Sequence, residues 1–290
     1  MSSDSDVQLH ELLNCLPIIS GLHARTTEIY LVLDKVAKSI VHSSQLAENR
    51  DGAVELRCFG QLVFPYQKMG AVSTLDLFGL DELIIFAFYW ANRNRYKKVA
   101  DIGANLGLHS ILMNRCGWTV EAYEPDPIHA DLLERNLKLN NVVGVTIHEM
   151  AVSDEVGTME FVRVVGNTTG SHLARAKANP YGVLERFPVK VASIDTIMSS
   201  SDLIKMDVEG QESIIILATN IGHWKNTDMM VEVGSAENAQ AIFEHLKTLG
   251  VNAFSQKLGW QRVVSLEGMP MSYKEGSLFV SMKSSMPWAT

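Results

Sequence analysis

Five carboxylates and one glycine turn are the residues of this chain whose spacing suggests chemistry. The stretch Val99-Ala100-Asp101-Ile102-Gly103-Ala104-Asn105-Leu106-Gly107 reads as a strand that turns into a helix. Gly103 and Gly107 let backbone approach a ligand or a neighbouring strand, and Asn105 tolerates the left-handed conformation of a tight turn. The loop opens onto helix N–H groups, which favour an anionic group. Asp101, at the strand end, is an acceptor for a cationic amine. Glu124, in Ala122-Tyr123-Glu124-Pro125-Asp126, ends the next strand. An acid about 20 positions beyond a glycine turn is the ribose-diol acceptor of nucleotide-type sites. It also repels a 2′-phosphate, which disfavours NADP.

The turn reads G-x-x-x-G behind an acid, not G-x-G-x-x-G, and this weakens a nicotinamide or flavin dinucleotide. S-adenosylmethionine fits better, because it carries an amine, a carboxylate, a ribose diol and an adenine. The adenine is expected near Met150, Ala151 and Val152, as one apolar wall. Methyl transfer from a sulfonium is an in-line displacement, so donor and acceptor must be aligned and a hydroxyl must lose its proton. Asp207 ends a later strand and is the leading acceptor-facing carboxylate, as base, hydrogen-bond acceptor or metal ligand, and it belongs to the cofactor set as well. Glu209 follows on the same turn, although Glu209-x-x-Glu212 also approximates a capping pattern. Glu232 ends the strand after that, and with Asp207 it forms a pair able to hold Mg²⁺. The polar loop Asn167-Thr168-Thr169-Gly170-Ser171-His172 offers His172 as an alternative base, or is a solvated turn. His109 reads as structural, and Asn136 and Asn140 as helix surface.

The elements that must position these residues alternate. Strands are expected at 99–102, 119–123, 142–149, 203–206, 229–233, 251–255 and 277–282, with helices at 106–116, 128–139, 212–218 and 238–249. Residues 158–165 and 187–192 read as a strand pair joined by a polar loop. Such alternation means a doubly wound α/β sheet, whose ligands sit beyond the C-terminal strand ends where the winding reverses. Before it come an amphipathic helix over 22–42 (Ile29, Val32, Leu33, Val36, Ile40), a strand and turn over 54–64, and a buried helix over 80–92. The expected division is an N-terminal, mostly helical cap over 1–92 and a cofactor-binding domain over 93–290.

Three blocks resemble a known family, the FkbM-type S-adenosylmethionine-dependent methyltransferases. Val99–Ser110 (VADIGANLGLHS) looks like its D-I-G-A-N-x-G block, Tyr123–Pro127 (YEPDP) like its E-P block, and Ile204–Glu212 (IKMDVEGQE) like its K-I-D-V-E-G-x-E block. Weaker matches are Ala151-Val152-Ser153, VASIDTI over 191–197 and Val231-Glu232-Val233. The resemblance covers roughly residues 95–235. It implies a Rossmann-like class I methyltransferase sheet of seven strands, the last antiparallel. It also implies methylation of hydroxyls on sugars, polyketides or other natural products. One departure stands out. The family often has His two residues after the Glu matching Glu232, and this chain has Gly234. If that His positions or deprotonates the acceptor, another group must do so here.

Composition bounds the rest. The chain has 290 residues and a formal charge of -8, which argues against a nucleic-acid groove. At 47% hydrophobic and 20% charged residues it has enough apolar material for a sizeable core. The longest apolar run, Leu83 to Trp90, is far short of the roughly 20 residues of a bilayer span. Cys15, Cys58 and Cys116 lie far apart and lack metal or redox spacing, which suits reduced thiols in a cytoplasmic protein. The N-terminal helices offer a surface for a homo-oligomer. The expected partner is a small-molecule or glycan acceptor, with no nucleic acid and no membrane span. Two other readings stand beside methyl transfer: a nucleotide-cofactor oxidoreductase, and a non-catalytic module that retains the cofactor fold.

Overall fold

The computed structural model describes residues 4–56, 58–174 and 182–288. The polar loop expected between the paired strands lies partly outside the described residues. One large sheet organises the chain: β1 (Lys98–Ile102), β2 (Thr119–Tyr123), β3 (Val145–His148), β4 (Leu203–Met206), β5 (Asp228–Glu232), β6 (Asn252–Ser255), β7 (Gln261–Arg262) and β8 (Ser277–Ser281). Their order is β7-β6-β8-β5-β4-β1-β2-β3. β1 pairs in parallel with both β2 and β4, and the chain winds outward from it in both directions. That makes the C-terminal ends of β1 and β4 the switch point of a doubly wound sheet. The last strand, β8, runs antiparallel between β5 and β6, as expected. The expected seven strands become eight, because the two-residue β7 pairs antiparallel with the edge of β6. So short a strand carries no hydrophobic alternation to read.

The helices are α1 (Asp4–Cys15), α2 (Glu28–Ser43), α3 (Leu80–Ala91), α4 (Leu108–Arg115), α5 (Pro127–Leu139), α6 (Ile194–Ser200), α7 (Glu212–Leu217), α8 (Ile221–Trp224) and α9 (Ala236–Leu249). Local chemistry sets several of their ends. Asp126 caps α5 by accepting from Ile128 N, Pro127 occupies the first turn, and Asn141 stops the helix at φ +54°. Ser235 opens α9 and left-handed Gly250 closes it.

Alternation along the strands sends side chains to two cores. Val99, Leu203, Met230 and Phe279 face one side, with residues of α1 to α5. Ala100, Ile204, Met229 and Val280 face the other, with α6, α7 and α9. The N-terminal 92 residues therefore supply part of a layer on the sheet itself, and their core is continuous with it. A hairpin (Ala53–Leu56 with Gly60–Val63) sits in that segment. Its Val63 exchanges hydrogen bonds with the Asn140 amide at the end of α5 (2.9 and 2.7 Å). Asn140 is thus a tie between segments, not a free surface residue.

The buried face of α2 differs from the expected stripe. Tyr30, Ala37, Ile40 and Val41 are buried, whereas Ile29, Val32 and Val36 are 44%, 57% and 43% exposed. The apolar arc of this helix spans about half its circumference, from Val32 round to Val41, so spacing alone does not fix which part of it is buried. The Tyr30 hydroxyl does, by donating to Asp81 Oδ1 at 2.8 Å.

A second, four-stranded sheet stands over the C-terminal strand ends. It contains Met150–Ser153, Gly157–Val165, His172–Leu173 and Val183–Ser193. The expected strand pair is there, antiparallel from Gly157↔Val191 to Val165↔Val183. The expected strand over 142–149 ends at His148, and the chain then steps into this second sheet.

Phe88 joins the N-terminal segment to the rest. It is fully buried and its ring meets those of Tyr96, Phe279 and Trp288 at centroid distances of 6.4, 5.4 and 5.6 Å. Phe88→Ala is expected to cost about 3–5 kcal/mol of global stability. Urea unfolding read by far-UV and near-UV dichroism should then show a single, shifted transition. Two separated transitions would mean that the N-terminal segment folds on its own.

Candidate functional site

The turn after β1 brings strand ends together. Gly103 has φ +78°, and a Cβ there would overlap the Asp207 carbonyl oxygen. Asp207 N donates to Ile102 O at 3.0 Å, and the Gly103 and Ala104 amides both donate to Tyr123 O at 3.0 Å. Asn105 is left-handed at φ +51°, as its residue type suggested. Its amide donates to Glu124 Oε2 at 2.8 Å, while Asp126 N donates to Glu124 Oε1 at 2.9 Å. Gly107, at φ +83°, packs on Leu133 of α5 and does not face the cavity. Asn136, read as surface, is buried and donates to Leu106 O at 2.9 Å, holding the turn from behind.

These elements enclose a cavity of about 370 Å³. Gly103, Asn105, Glu124, Pro125, Met150, Ala151 and Val152 line one part of it. Asp207, Glu209, Glu232 and His172 line another. Apart from Asp101 and Gly107, every residue expected at the site thus faces one space. Asp101 is fully buried behind the wall, where Ser110 Oγ donates to it at 2.6 Å. Its Oδ2 takes this internal bond, and its Oδ1 has no hydrogen-bond partner among the described residues. Lys205, its partner across β1 and β4, holds its Nζ 4.0 Å from Asp101 and 3.8 Å from Asp207.

Lys205 is the buried cation of the site. Burial opposes its charge, but Asp207, Asp101, Glu82 and Glu232 outweigh that and hold the ammonium above the ordinary lysine range. Spacing arguments missed this role. The signal was a lone lysine between Ile204 and Met206 in a strand otherwise apolar, because a buried charge needs partners. Glu232 is driven well above the usual carboxylate range, first by burial and then by the facing charges of Asp207 and Glu82. Glu124 rises to about 7 through burial, although two backbone amides pull the other way. Glu212, also raised to about 7 by burial, accepts from Gly210 N at 2.8 Å and from Asn238 Nδ2 at 2.5 Å. It ties the 207–212 turn to α9. Glu209 holds a left-handed φ of +54° on that turn, an unusual conformation for a glutamate and one that functional sites often store.

Apart from Glu82 Oε2, which meets His109 at 3.0 Å, three buried acceptor atoms of lining residues have no hydrogen-bond partner among the described residues: Asn105 Oδ1, Asp207 Oδ1 and Gln211 Oε1. Native interiors rarely leave such atoms unpaired, so they mark where a donor-bearing ligand belongs. A metal at Asp207 and Glu232 finds no support. The cation that Asp207 meets is Lys205, and among the described residues no group of three or more His, Cys, Asp or Glu is arranged around a metal position.

Other lining residues come from segments that spacing did not mark. Val72, Asp76, Leu77 and Glu82 belong to the N-terminal segment, and Tyr273 to the loop before β8. The N-terminal wall is fastened to the polar loop: Thr168 N donates to Met69 O at 3.0 Å, and a Cβ on Gly70 would overlap Gly166 O. Thr168, Ser171 and His172 of that loop line the cavity, and His172 is buried with Nδ1 2.9 Å from Gly170 O. His109 lies outside the cavity, between Glu82 (3.0 Å) and the Tyr89 hydroxyl (2.9 Å).

Comparison with known proteins adds a family. The profile described as Methyltransferase FkbM domain matches residues 101–263. The chain is 30% identical over 160 residues to Methyltransferase sdnD of Sordaria araneosa, covering 44% of this chain and 62% of that protein. It is 27% identical over 157 residues to Methyltransferase 1 of Beauveria bassiana (strain ARSEF 2860), covering 46% and 62%. The chain thus spans less than two thirds of the curated relatives it matches. Among solved structures, precorrin-6y C5,15-methyltransferase from Geobacter metallireducens GS-15 is similar at 15% identity and a TM-score of 0.36, over 68% of this chain and 84% of that one.

The tightest geometric requirement of the site is the absent side chain at Gly103. Gly103→Ala adds a methyl at positive φ against Asp207 O, so β1 and β4 must part at their ends. The expected cost is about 2–5 kcal/mol, from left-handed strain and overpacking together. Thermal melting reads this loss directly. A variant as stable as wild type would mean that the two strand ends are not held this closely.

Proposed function

The chain belongs to the FkbM methyltransferase family, and from that premise we propose that it is an S-adenosylmethionine-dependent enzyme that methylates a hydroxyl of a small, polyhydroxylated acceptor. The observation that carries this reading is the single cavity running from Glu124 to Asp207 and Glu232. The groups around it suit the cofactor. Glu124 at the end of β2 would take the ribose diol, and Met150, Ala151 and Val152 would give the adenine its apolar wall. The unpaired oxygens of Asn105 and Gln211 are acceptors for the donors of an ammonium. When bound, S-adenosylmethionine supplies an electrophilic methyl group.

The protein's own residues then handle the acceptor. Asp207 faces the hydroxyl and accepts its proton as the oxygen attacks. Glu232, held well above the usual carboxylate range by burial and by Asp207 and Glu82, favours its protonated form beside Asp207. The Lys205 ammonium holds Asp207 in place and balances the charge of the cluster. The acids at the strand ends favour a cationic donor and a neutral acceptor, and disfavour a polyanion. Val72 and Leu77 add apolar surface to the cavity.

Asp207→Asn keeps an acceptor oxygen but removes the proton-accepting carboxylate. Turnover should fall about 10²–10⁴-fold, with little change in the calorimetric Kd for S-adenosylhomocysteine. Glu124→Ala removes the diol acceptor and should weaken that Kd about 10–100-fold. Equal losses of affinity in both variants would sink the assignment of roles. Tighter binding of NAD than of S-adenosylmethionine would sink the cofactor reading itself.

Affinity should also depend on pH. Glu124 titrates near 7 in the free protein, and diol binding favours its ionised form. Cofactor affinity is therefore full above that value and falls about tenfold per unit below it. Binding at pH 6 should release close to one proton, read as a buffer-dependent enthalpy. A flat profile from pH 5.5 to 8 would remove Glu124 from the contact.

A further inference from the structure

Gly234 lies two residues beyond Glu232, and the space its missing side chain leaves is filled from elsewhere in the chain. A Cβ on Gly234 would overlap Oη and Cζ of Tyr273. Tyr273 lines the cavity, and the charged groups that face its phenol are Glu209, Glu212, Asp207 and Glu232. The loop that carries it is fastened at several points. Arg25 Nη1 donates to Lys274 O at 3.0 Å. The Glu275 carboxylate accepts from Lys257 Nζ at 3.1 Å and from Met271 N at 2.7 Å. Ser277 N donates to Gln256 Oε1 at 3.0 Å. The phenol is thus held on Gly234, while its hydroxyl makes no hydrogen bond among the described residues.

We propose that Tyr273 contacts the methyl acceptor directly, donating a hydrogen bond to an oxygen adjacent to the hydroxyl that faces Asp207. This rests on the methyl-transfer reading above. Burial and the facing carboxylates raise the phenol well above the ordinary tyrosine range, so at neutral pH it donates and does not act as a base. A fixed donor beside a carboxylate recognises two neighbouring oxygens. One oxygen gives its proton to the carboxylate and the other accepts from the phenol. The acceptor class is therefore a hydroxyl flanked by a second oxygen, as in a vicinal diol or an α-hydroxy carbonyl. Glycine at 234 is what makes this possible, because any side chain there would compete with the ring for the same volume.

The test uses the 290-residue chain, S-adenosylmethionine and paired probes: catechol against phenol, cis-cyclohexane-1,2-diol against cyclohexanol, and methyl α-D-glucopyranoside against its 2-deoxy analogue. Methyl transfer is read as S-adenosylhomocysteine formed. Wild type should favour the dioxygenated member of a pair by about tenfold or more in kcat/KM. Tyr273→Phe keeps the ring and removes the hydroxyl. It should lose that preference through KM, with the melting temperature and the Kd for S-adenosylhomocysteine unchanged. Gly234→Ala displaces the ring and should lose the same preference. A Tyr273→Phe enzyme that still favours the dioxygenated member overturns the proposal. So does transfer to none of the dioxygenated probes by a protein that binds S-adenosylmethionine normally. Failure to bind S-adenosylmethionine at all overturns the underlying methyl-transfer reading instead.

Discussion

A single buried ammonium makes the acid-rich end of this sheet possible. Lys205 stands beside Asp101 in register across β4 and β1, with Asp207, Glu82 and Glu232 around it. Four carboxylates gathered in one place would repel one another in a low-dielectric interior. With one fixed cation among them, part of that repulsion is cancelled. Glu232, raised first by burial and then by Asp207 and Glu82, favours its protonated form and so adds little to what remains. Buried ion clusters rarely stabilise a fold more than apolar packing would. Their presence at the switch point of the sheet is better understood as the cost of keeping Asp207 oriented toward the cavity.

The N-terminal segment depends on the same cluster. Glu82 reaches it from α3, and His109 and Tyr89 hold that carboxylate in line. The segment also packs its apolar residues on the sheet face that carries Val99, Leu203 and Phe279. Its 69–77 stretch, tied to the 166–168 loop through Met69 and Gly70, lines the cavity with Val72, Asp76 and Leu77. Cap is therefore too slight a word for it. The site is a product of both halves of the chain, because neither the acid cluster nor the enclosure is complete without both.

What could be read from the sequence follows from which signals are local. The strand ends at Ile102, Tyr123 and Met206, and the left-handed Asn105, were legible because turns and short apolar runs are local properties. For Asp101, spacing places a carboxylate at a strand end without saying which face it takes, and its face is fixed by Ser110 and Lys205. The rotation of α2 was hidden for a similar reason, since a tyrosine hydroxyl and a distant aspartate set it. Tyr273 could not be found by spacing at all. Its place beside Gly234 is a contact between residues far apart in sequence, and the only trace of it was the missing side chain.

The two ends of the cavity are built on different physics, and this separates what each can select. At Glu124 the carboxylate is held by two backbone amides, so its geometry is rigid and its charge is set mainly by burial. That end suits a ligand part that never varies. At Asp207 the carboxylate meets one side chain, Lys205 at 3.8 Å, and keeps an unpaired buried oxygen, and the phenol of Tyr273 and the side chains of Val72 and Leu77 come from segments outside the large sheet. Loops change more readily than strand ends, while backbone-defined turns persist. In this chain Gly234 and Tyr273 shape that end together, because the ring fills the volume that a side chain at 234 would need.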